Sequence, residues 1–263
     1  MFQKKVIVHL TASLGMFIVL THSGHLSGAT VPGIVHHWRF DETSGDVAAD
    51  SVSANSGTLK NWGSTEPRWV DGMVGGALDF GNINNYVITD SPISFNEYTI
   101  AFWLKVHAVE GTNPRIVGPN DREHWIIIGN EDQRGVGFYY NWGGNLAQDP
   151  NPPLLGTWEH YAIVFDRIGG DTLIYRDGVE VAHKFHTDDL PLGQWIFGHS
   201  VDPNNHGDSL SGQLDDLQVY DRLLAANEIA TLAVPEPSAL ILLTSGLGAL
   251  GLIVYRRRRL LRR

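Results

Sequence analysis

The stretch 158–185 constrains the fold of this chain most. Trp158–Asp166 (WEHYAIVFD) is aromatic and β-branched enough for a strand, and residues 172–176 and Val179–Phe185 are shorter runs of the same kind. Asp177-Gly178 separates those two runs. A type I′ turn needs positive φ at both central residues, so the pair predicts a tight antiparallel hairpin. Residues 35–41 (VHHWRFD) also alternate, with Val35, His37 and Arg39 on one face and His36, Trp38 and Phe40 on the other. Further strands are expected at 77–80, 86–89, 97–106 (EYTIAFWLKV), 125–129, 136–140, 194–198 and 213–220. Residues 50–57 read as a turn. Residues 140–155 read as a loop, with Gly143, Gly144, Pro150, Pro152 and Pro153. Residues 225–232 are the good helical candidate, with Glu228 near the start. Many short strands and one short helix predict an all-β sandwich rather than an α/β fold.

Nothing covalent staples that sandwich, because the 263 residues contain no cysteine. Packing, hydrogen bonds or a metal must hold it. Residues 30–237 carry 29 acidic and 11 basic side chains, a formal charge of −18. Such a surface repels phosphates and argues against nucleic acid as a partner.

Both ends of the chain read as targeting segments. Residues 1–29 have a basic start (Lys4, Lys5), an apolar stretch at 6–20 and small residues at Ser27-Gly28-Ala29, the pattern of a secretory signal peptide cut after Ala29. Residues 30–233 then form one domain. Val234, Pro235, Glu236 and Pro237 open the last segment, 234–263. An uncharged run of 17 residues follows at 239–255, long enough as a helix for about 26 Å. Arg256 to Arg259, Arg262 and Arg263 close the chain and favour a cytoplasmic tail. This order resembles the PEP-CTERM sorting signal of Gram-negative bacteria. The resemblance implies export, transient anchoring in the inner membrane through a C-terminal transmembrane helix, and processing by an exosortase at the envelope. An ordinary membrane anchor is the simpler alternative.

The middle carries a second resemblance. HWRFDETSGDVAADSVSANSGTL, ALDFGNINNYVITD, YTIAFWLKV, WEHYAIVFDRIGGDTLIYRDGVEVA and GQLDDLQVYDRLLAANEIATL follow one another between about Val35 and Leu232. They resemble the laminin-G-like jelly rolls of the concanavalin A-like lectin/glucanase superfamily. The resemblance implies two stacked antiparallel sheets and, in many relatives, carbohydrate or protein binding. It implies no single activity, since this fold hosts lectins, adhesins and hydrolases alike.

Two candidate sites stand out. Asp215 and Asp216 lie in a strand whose Leu217 and Val219 face the core, so one carboxylate should share that face and be partly buried. Relatives hold structural calcium with oxygen ligands from such places, which nominates Asp41, Asp50, Asn55, Asp215 and Asp216 as a Ca²⁺ set. The alternative is a carboxylate satisfied by backbone amides, and spacing alone does not choose. Trp125, Tyr139, Tyr140 and Trp142 form the other site, an aromatic group beside Asn141 and Asn145 suited to stacking on sugar rings. Its alternative is core packing. Trp38, Trp103, Trp158 and Trp195 are expected in the core, and His183, His186, His199 and His206 match no metal-binding spacing. The chain shows no Glu-x-Asp-x-x-Glu strand, and Glu97, Glu110, Glu123 and Glu159 each lack a carboxylate two positions away. The leading reading is therefore a non-catalytic binding module for carbohydrate or a cell-surface protein. A glycan-active enzyme with dispersed carboxylates and a purely structural surface protein are the alternatives.

Overall fold

The computed structural model describes residues 31–62, 68–81, 84–111, 113–120, 124–129, 135–140, 144–185, 193–199 and 209–235. The signal peptide expected at 1–29, Glu236 and Pro237, the apolar run and arginines of the tail, and Trp142 lie outside the described residues.

The hairpin forms as its turn chemistry dictates. Asp177 and Gly178 have φ of 50° and 79°, and Arg176 pairs with Val179 across the turn. The strands in chain order are β1 (Ile34–Trp38), β2 (Val47–Ala48), β3 (Gly57–Lys60), β4 (Trp69–Asp71), β5 (Gly76–Asp79), β6 (Tyr86–Pro92), β7 (Glu97–Ala108) and β8 (Arg115–Pro119). They continue as β9 (His124–Ile128), β10 (Val136–Tyr140), β11 (Gly144–Gln148), β12 (Trp158–Asp166), β13 (Asp171–Arg176), β14 (Val179–Phe185), β15 (Gln194–Phe197) and β16 (Ser211–Tyr220), before helix α1 (Ala226–Leu232). All strand pairings among the described residues are antiparallel. Sheet A runs β14-β13-β12-β7-β16-β5-β4, with β1 also on β16. Sheet B runs β11-β10-β9-β8-β15-β6-β3-β2. The predicted loop at 140–155 thus contains a strand, β11, which pairs with β10 through a register shift between Phe138 and Tyr139.

Alternation sends one face of each strand into a single core. Ile100, Phe102, Leu104 and Val106 of β7 and Tyr161, Ile163 and Phe165 of β12 meet Val117, Ile126, Ile128, Phe138 and Phe197 of sheet B. Trp38 and Trp195 join them, with Trp38 edge-on to Phe197 at 5.0 Å. Trp103 is also buried, but on the outer face of sheet A against His160, and Trp158 is half-buried with the Lys105 ammonium 5.8 Å from its ring.

The outer face of sheet A is closed by α1. Ala101 and Ala162 lie directly opposite each other, and these small side chains share a second cluster with Ile229 of the helix, Val31, Tyr175, Tyr220 and Leu224. Glu228 reaches back to the Ala225 amide at 2.9 Å, which satisfies one of the helix's orphan donors. Arg222 holds Glu228 through two bonds of 2.8–2.9 Å and also donates to the Pro32 carbonyl, fastening the start of the domain to its last element. The hairpin tip meets the far end of α1. A Cβ added at Gly178 would lie 2.9 Å from Ala230 Cα. Gly178→Val is therefore expected to destabilise the domain by about 1–3 kcal/mol, from positive φ and the helix contact together. Thermal melting checks this, and an unchanged transition would contradict the turn and its seat.

Candidate functional site

The acidic pair of β16 is positioned by a break in the strand's period. Asp215 faces Trp103 and Gln218 faces Ala101, so three residues of β16 span two of β7. Asp216 takes up the extra residue with φ of 50°, a β-bulge. Leu214 and Leu217 then both point into the core, while Asp215 shares the outer face with Trp103. The expectation that one carboxylate would share a face with Leu217 and Val219 is thus corrected by the bulge.

Asp215 is fully buried under the turn that links β4 to β5. Its Oδ2 accepts from the Met73 and Val74 amides, both at 2.7 Å, and its Oδ1 is buried without a hydrogen-bond partner. Burial pushes its pKa up to about 8, against the pull of the Val74 amide and with added repulsion from Asp216. Asp216 is engaged differently. It pairs with His37 Nε2 at 2.5 Å and accepts from Gln218 Nε2 at 2.7 Å, and Gln218 Oε1 accepts from the Tyr220 hydroxyl. His160 lies edge-on to Trp103 at 5.2 Å with its Nδ1 unpartnered, and burial pushes its pKa down to about 4.

The other nominated metal ligands are already engaged. Asp50 Oδ1 accepts from the amides of His37, Val52 and Ser53, and its Oδ2 bonds His36 and the Ser53 hydroxyl. Asn55 exchanges two hydrogen bonds with the Ser91 backbone. Asp41 accepts from the Gly76 amide and pairs with Arg39. Among the described residues no three His, Asp or Glu side chains converge as a metal-binding group. Asp50 and Asp216 are linked instead through His37, which bonds one by its amide and the other by its ring. His183 pairs with Asp171, and His199 Nδ1 meets the Ser209 hydroxyl. His186 and His206 lie outside the described residues.

The aromatic group is split by the structure. Trp125 and Tyr139 face each other across β9 and β10. Both sit on the outer face of sheet B, since Ile126, Ile128 and Phe138 take the inner one. Nothing is described of the Tyr140 side chain; its backbone pairs with His124. Trp125, Ile127 and Ile196 form a buried floor, with Tyr86, Ile88 and Tyr139 half-buried against it. That outer cluster spans β10, β9, β15 and β6. The Arg115 guanidinium of β8, the strand between β9 and β15, lies 4.5 Å from the Trp125 ring. Trp125 is buried with its Nε1 lacking an acceptor. Burial raises the pKa of the Tyr139 phenol, opposed by Arg115. Trp125 is therefore a floor rather than an open stacking plane, and Tyr86 and Tyr139 offer the accessible ring surface. Sequence reasoning missed Tyr86, Ile88, Arg115 and Ile196. Nothing local marks them, because only the pairing of distant strands brings them to one face.

A third polar group was also missed. Arg176 donates to Glu159, to Asp149 at 3.2 Å and to the Pro152 carbonyl at 3.3 Å, with Asp149 and Glu159 both buried. Glu159 Oε2 also accepts from the Leu154 amide at 2.9 Å. This cluster ties the 149–155 segment to the hairpin and leaves neither carboxylate free for chemistry.

A laminin-G-type family model, described as the concanavalin A-like lectin/glucanases superfamily, matches residues 80–230. The chain belongs to this superfamily. A PEP-CTERM protein-sorting motif matches residues 233–259 and marks the concanavalin A-like protein as exported. No curated protein matches it. Among solved structures it resembles domain 4 of AbnA, a GH43 extracellular arabinanase from Geobacillus stearothermophilus in complex with arabinotriose. The TM-score is 0.63 at 20% identity over 77% of this chain and 98% of that one. It also resembles Trypanosoma rangeli sialidase in complex with sialic acid, with a TM-score of 0.59 at 14% identity over 79% of this chain and 33% of the sialidase. At such identities the likeness shows the fold alone.

Asp215 gives a pH test. Between about pH 4 and 8 its carboxyl is ionised in the unfolded chain and protonated in the folded one. The folded state then binds more protons, so this group's contribution to stability falls as pH rises through that window and levels off above it. His160 acts oppositely, losing stability as pH falls from 6.5 towards 4. From pH 6.5 to 8 the Asp215 slope stands alone of the two, at most about 1.4 kcal/mol per pH unit. Asp215→Asn should remove that decline in denaturant-unfolding measurements. An identical decline in the variant would show that Asp215 is ionised in the fold.

Proposed function

We propose that this is an exported, PEP-CTERM-sorted surface or matrix protein whose sandwich binds carbohydrate without catalysis, through the outer face of sheet B. One observation carries the reading. The outer face of sheet B bears a separate aromatic and aliphatic cluster, with half-buried Tyr139 opposite a Trp125 whose indole N–H has no acceptor and half-buried Tyr86 at the far side of the cluster on β6. Stability of the inner core does not require such a face. Rings on one face with an unsatisfied donor suit a ligand that presents C–H surface and hydroxyls together. The fold shared with a domain that holds arabinotriose is compatible with a saccharide. The charge of −18 favours a neutral polysaccharide over an acidic one.

The non-catalytic part of the reading rests on where the carboxylates are spent. Asp215 is buried beneath a turn, Asp216 is paired with His37, and Asp149 and Glu159 are held by Arg176. Affinity electrophoresis on a panel of neutral and acidic polysaccharides tests this. A neutral polymer should retard the protein with no release of reducing sugar. Tyr86→Ala or Tyr139→Ala should weaken retention by on the order of tenfold while leaving melting nearly unchanged. Sugar release would favour a glycan-active enzyme, and no retention by any polymer would favour a purely structural role.

The sorting motif names the processing partner. In a host with an exosortase, mass spectrometry of the envelope fraction should find a mature chain lacking residues beyond the Pro-Glu-Pro region. An intact Arg263 terminus there would contradict exosortase processing.

A further inference from the structure

The end of the sandwich at the hairpin tip collects exposed aliphatic side chains. Leu154 and Leu155 are each 59% exposed, Val179 65% and Val234 67%. Three links bring their backbones to the same end of the sandwich. Arg176 pairs with Val179 at the hairpin tip and donates to the Pro152 carbonyl, which holds the Leu154–Leu155 corner. Glu159 fixes that corner further through the Leu154 amide. Gly178 packs on the last turn of α1, where an added Cβ would lie 3.4 Å from Ala233 Cβ, and Val234 is the next residue.

The chain leaves the domain at this point towards its apolar run. Five Cα steps separate Val234 from Ala239, at most about 18 Å of extended chain. A headgroup layer of roughly 6 Å takes part of that reach. While the tail is inserted, this end of the domain cannot stand more than about 12 Å from the lipid surface.

We propose that the Leu154, Leu155, Val179 and Val234 patch rests on the lipid surface while the sorting tail is in the membrane. It orients the sandwich with the α1 end towards the bilayer and leaves the outer face of sheet B free. The inference rests on reading 234–263 as a membrane-inserted sorting tail. The occupant is lipid because the tether keeps the patch within about 12 Å of the lipid surface, and a patch this small gains from a surface held beside it at high effective concentration. Asp177 and the exposed Glu180 flank the patch, so the surface it suits is zwitterionic rather than anionic. Removal of the tail ends the tethering, and four aliphatic side chains alone do not hold a protein on a membrane.

The absence of natural cysteines makes the test direct. Full-length chains with Leu155→Cys, Val179→Cys, Ile168→Cys or Leu243→Cys, each carrying one environment-sensitive fluorophore, are reconstituted into phosphatidylcholine vesicles. Ile168 is the control, 73% exposed and aliphatic but at the opposite end of β12. Leu243 reports insertion of the tail. A lipid-borne quencher should remove most of the emission at 155, 179 and 243 and leave 168 unchanged. Quenching at 243 but not at 155 and 179 overturns the resting surface while leaving the tail reading intact. No quenching at 243 overturns the tail reading and the proposal with it. If 155 is shielded from aqueous iodide yet untouched by the lipid quencher, a protein covers the patch and lipid is the wrong occupant.

Discussion

β16 lies between β7 and β5 with β1 along its edge, and the rest of the domain depends on that placement. With no disulfide available, sheet A is complete only when this last strand has docked. Its inner side chains Leu214, Leu217 and Val219 fill the core, while its outer side carries Gln218 and Tyr220 towards His37 and α1. Contacts between the first and last strands span nearly the whole domain and are slow to form, since loop closure must precede their reward. The domain closes only after residue 220 is available, just before the sorting segment.

The bulge at Asp216 makes that strand serve two purposes. It keeps Leu214 and Leu217 inward and turns Asp215 outward beneath the 72–75 turn. There the carboxyl ties β4 and β5 to β16 at the cost of a buried acid. The outer faces of the two sheets then diverge. On sheet A the small Ala101 and Ala162 let α1 lie close and seal the surface. On sheet B larger residues, Trp125, Ile127, Ile196, Tyr86 and Tyr139, build a floor that α1 does not cover. The asymmetry between a sealed face and an aromatic face points to where a ligand would go.

Much of the fold was legible because its signals are local. The Asp-Gly turn, the opposite faces of His37 and the stacked His36 and Trp38, and the strands Trp158–Asp166 and Val136–Tyr140 all stand where turn chemistry and period put them, whereas a bulge before His36 turns Val35 onto the core side with Trp38. What could not be read is non-local or breaks a period. β11 hides in a glycine- and proline-rich stretch because its partner β10 defines it. The faces of Asp215 and Asp216 were misjudged because one extra residue resets the alternation. Trp103 and Trp158 read as core by composition, yet both face outward from the sandwich interior, with Trp103 buried on the outer face of sheet A and Trp158 half-buried. The hydrogen-bond partners of Asp50, Asn55 and Asp216, which are backbone amides, a hydroxyl and His37, come from segments that only the folded chain brings together. Of the aromatic group, Trp125 and Tyr139 do meet, while their neighbours Tyr86 and Arg115 come from strands far along the chain.

Hydrogen–deuterium exchange with and without bound oligosaccharide tests the assignment of the two faces most directly. Sugar binding on the aromatic face should slow exchange in β6, β9 and β10 and leave β12, β13 and α1 unchanged. Protection confined to sheet A or to α1 would place the ligand on the sealed face and contradict the division of labour between the sheets.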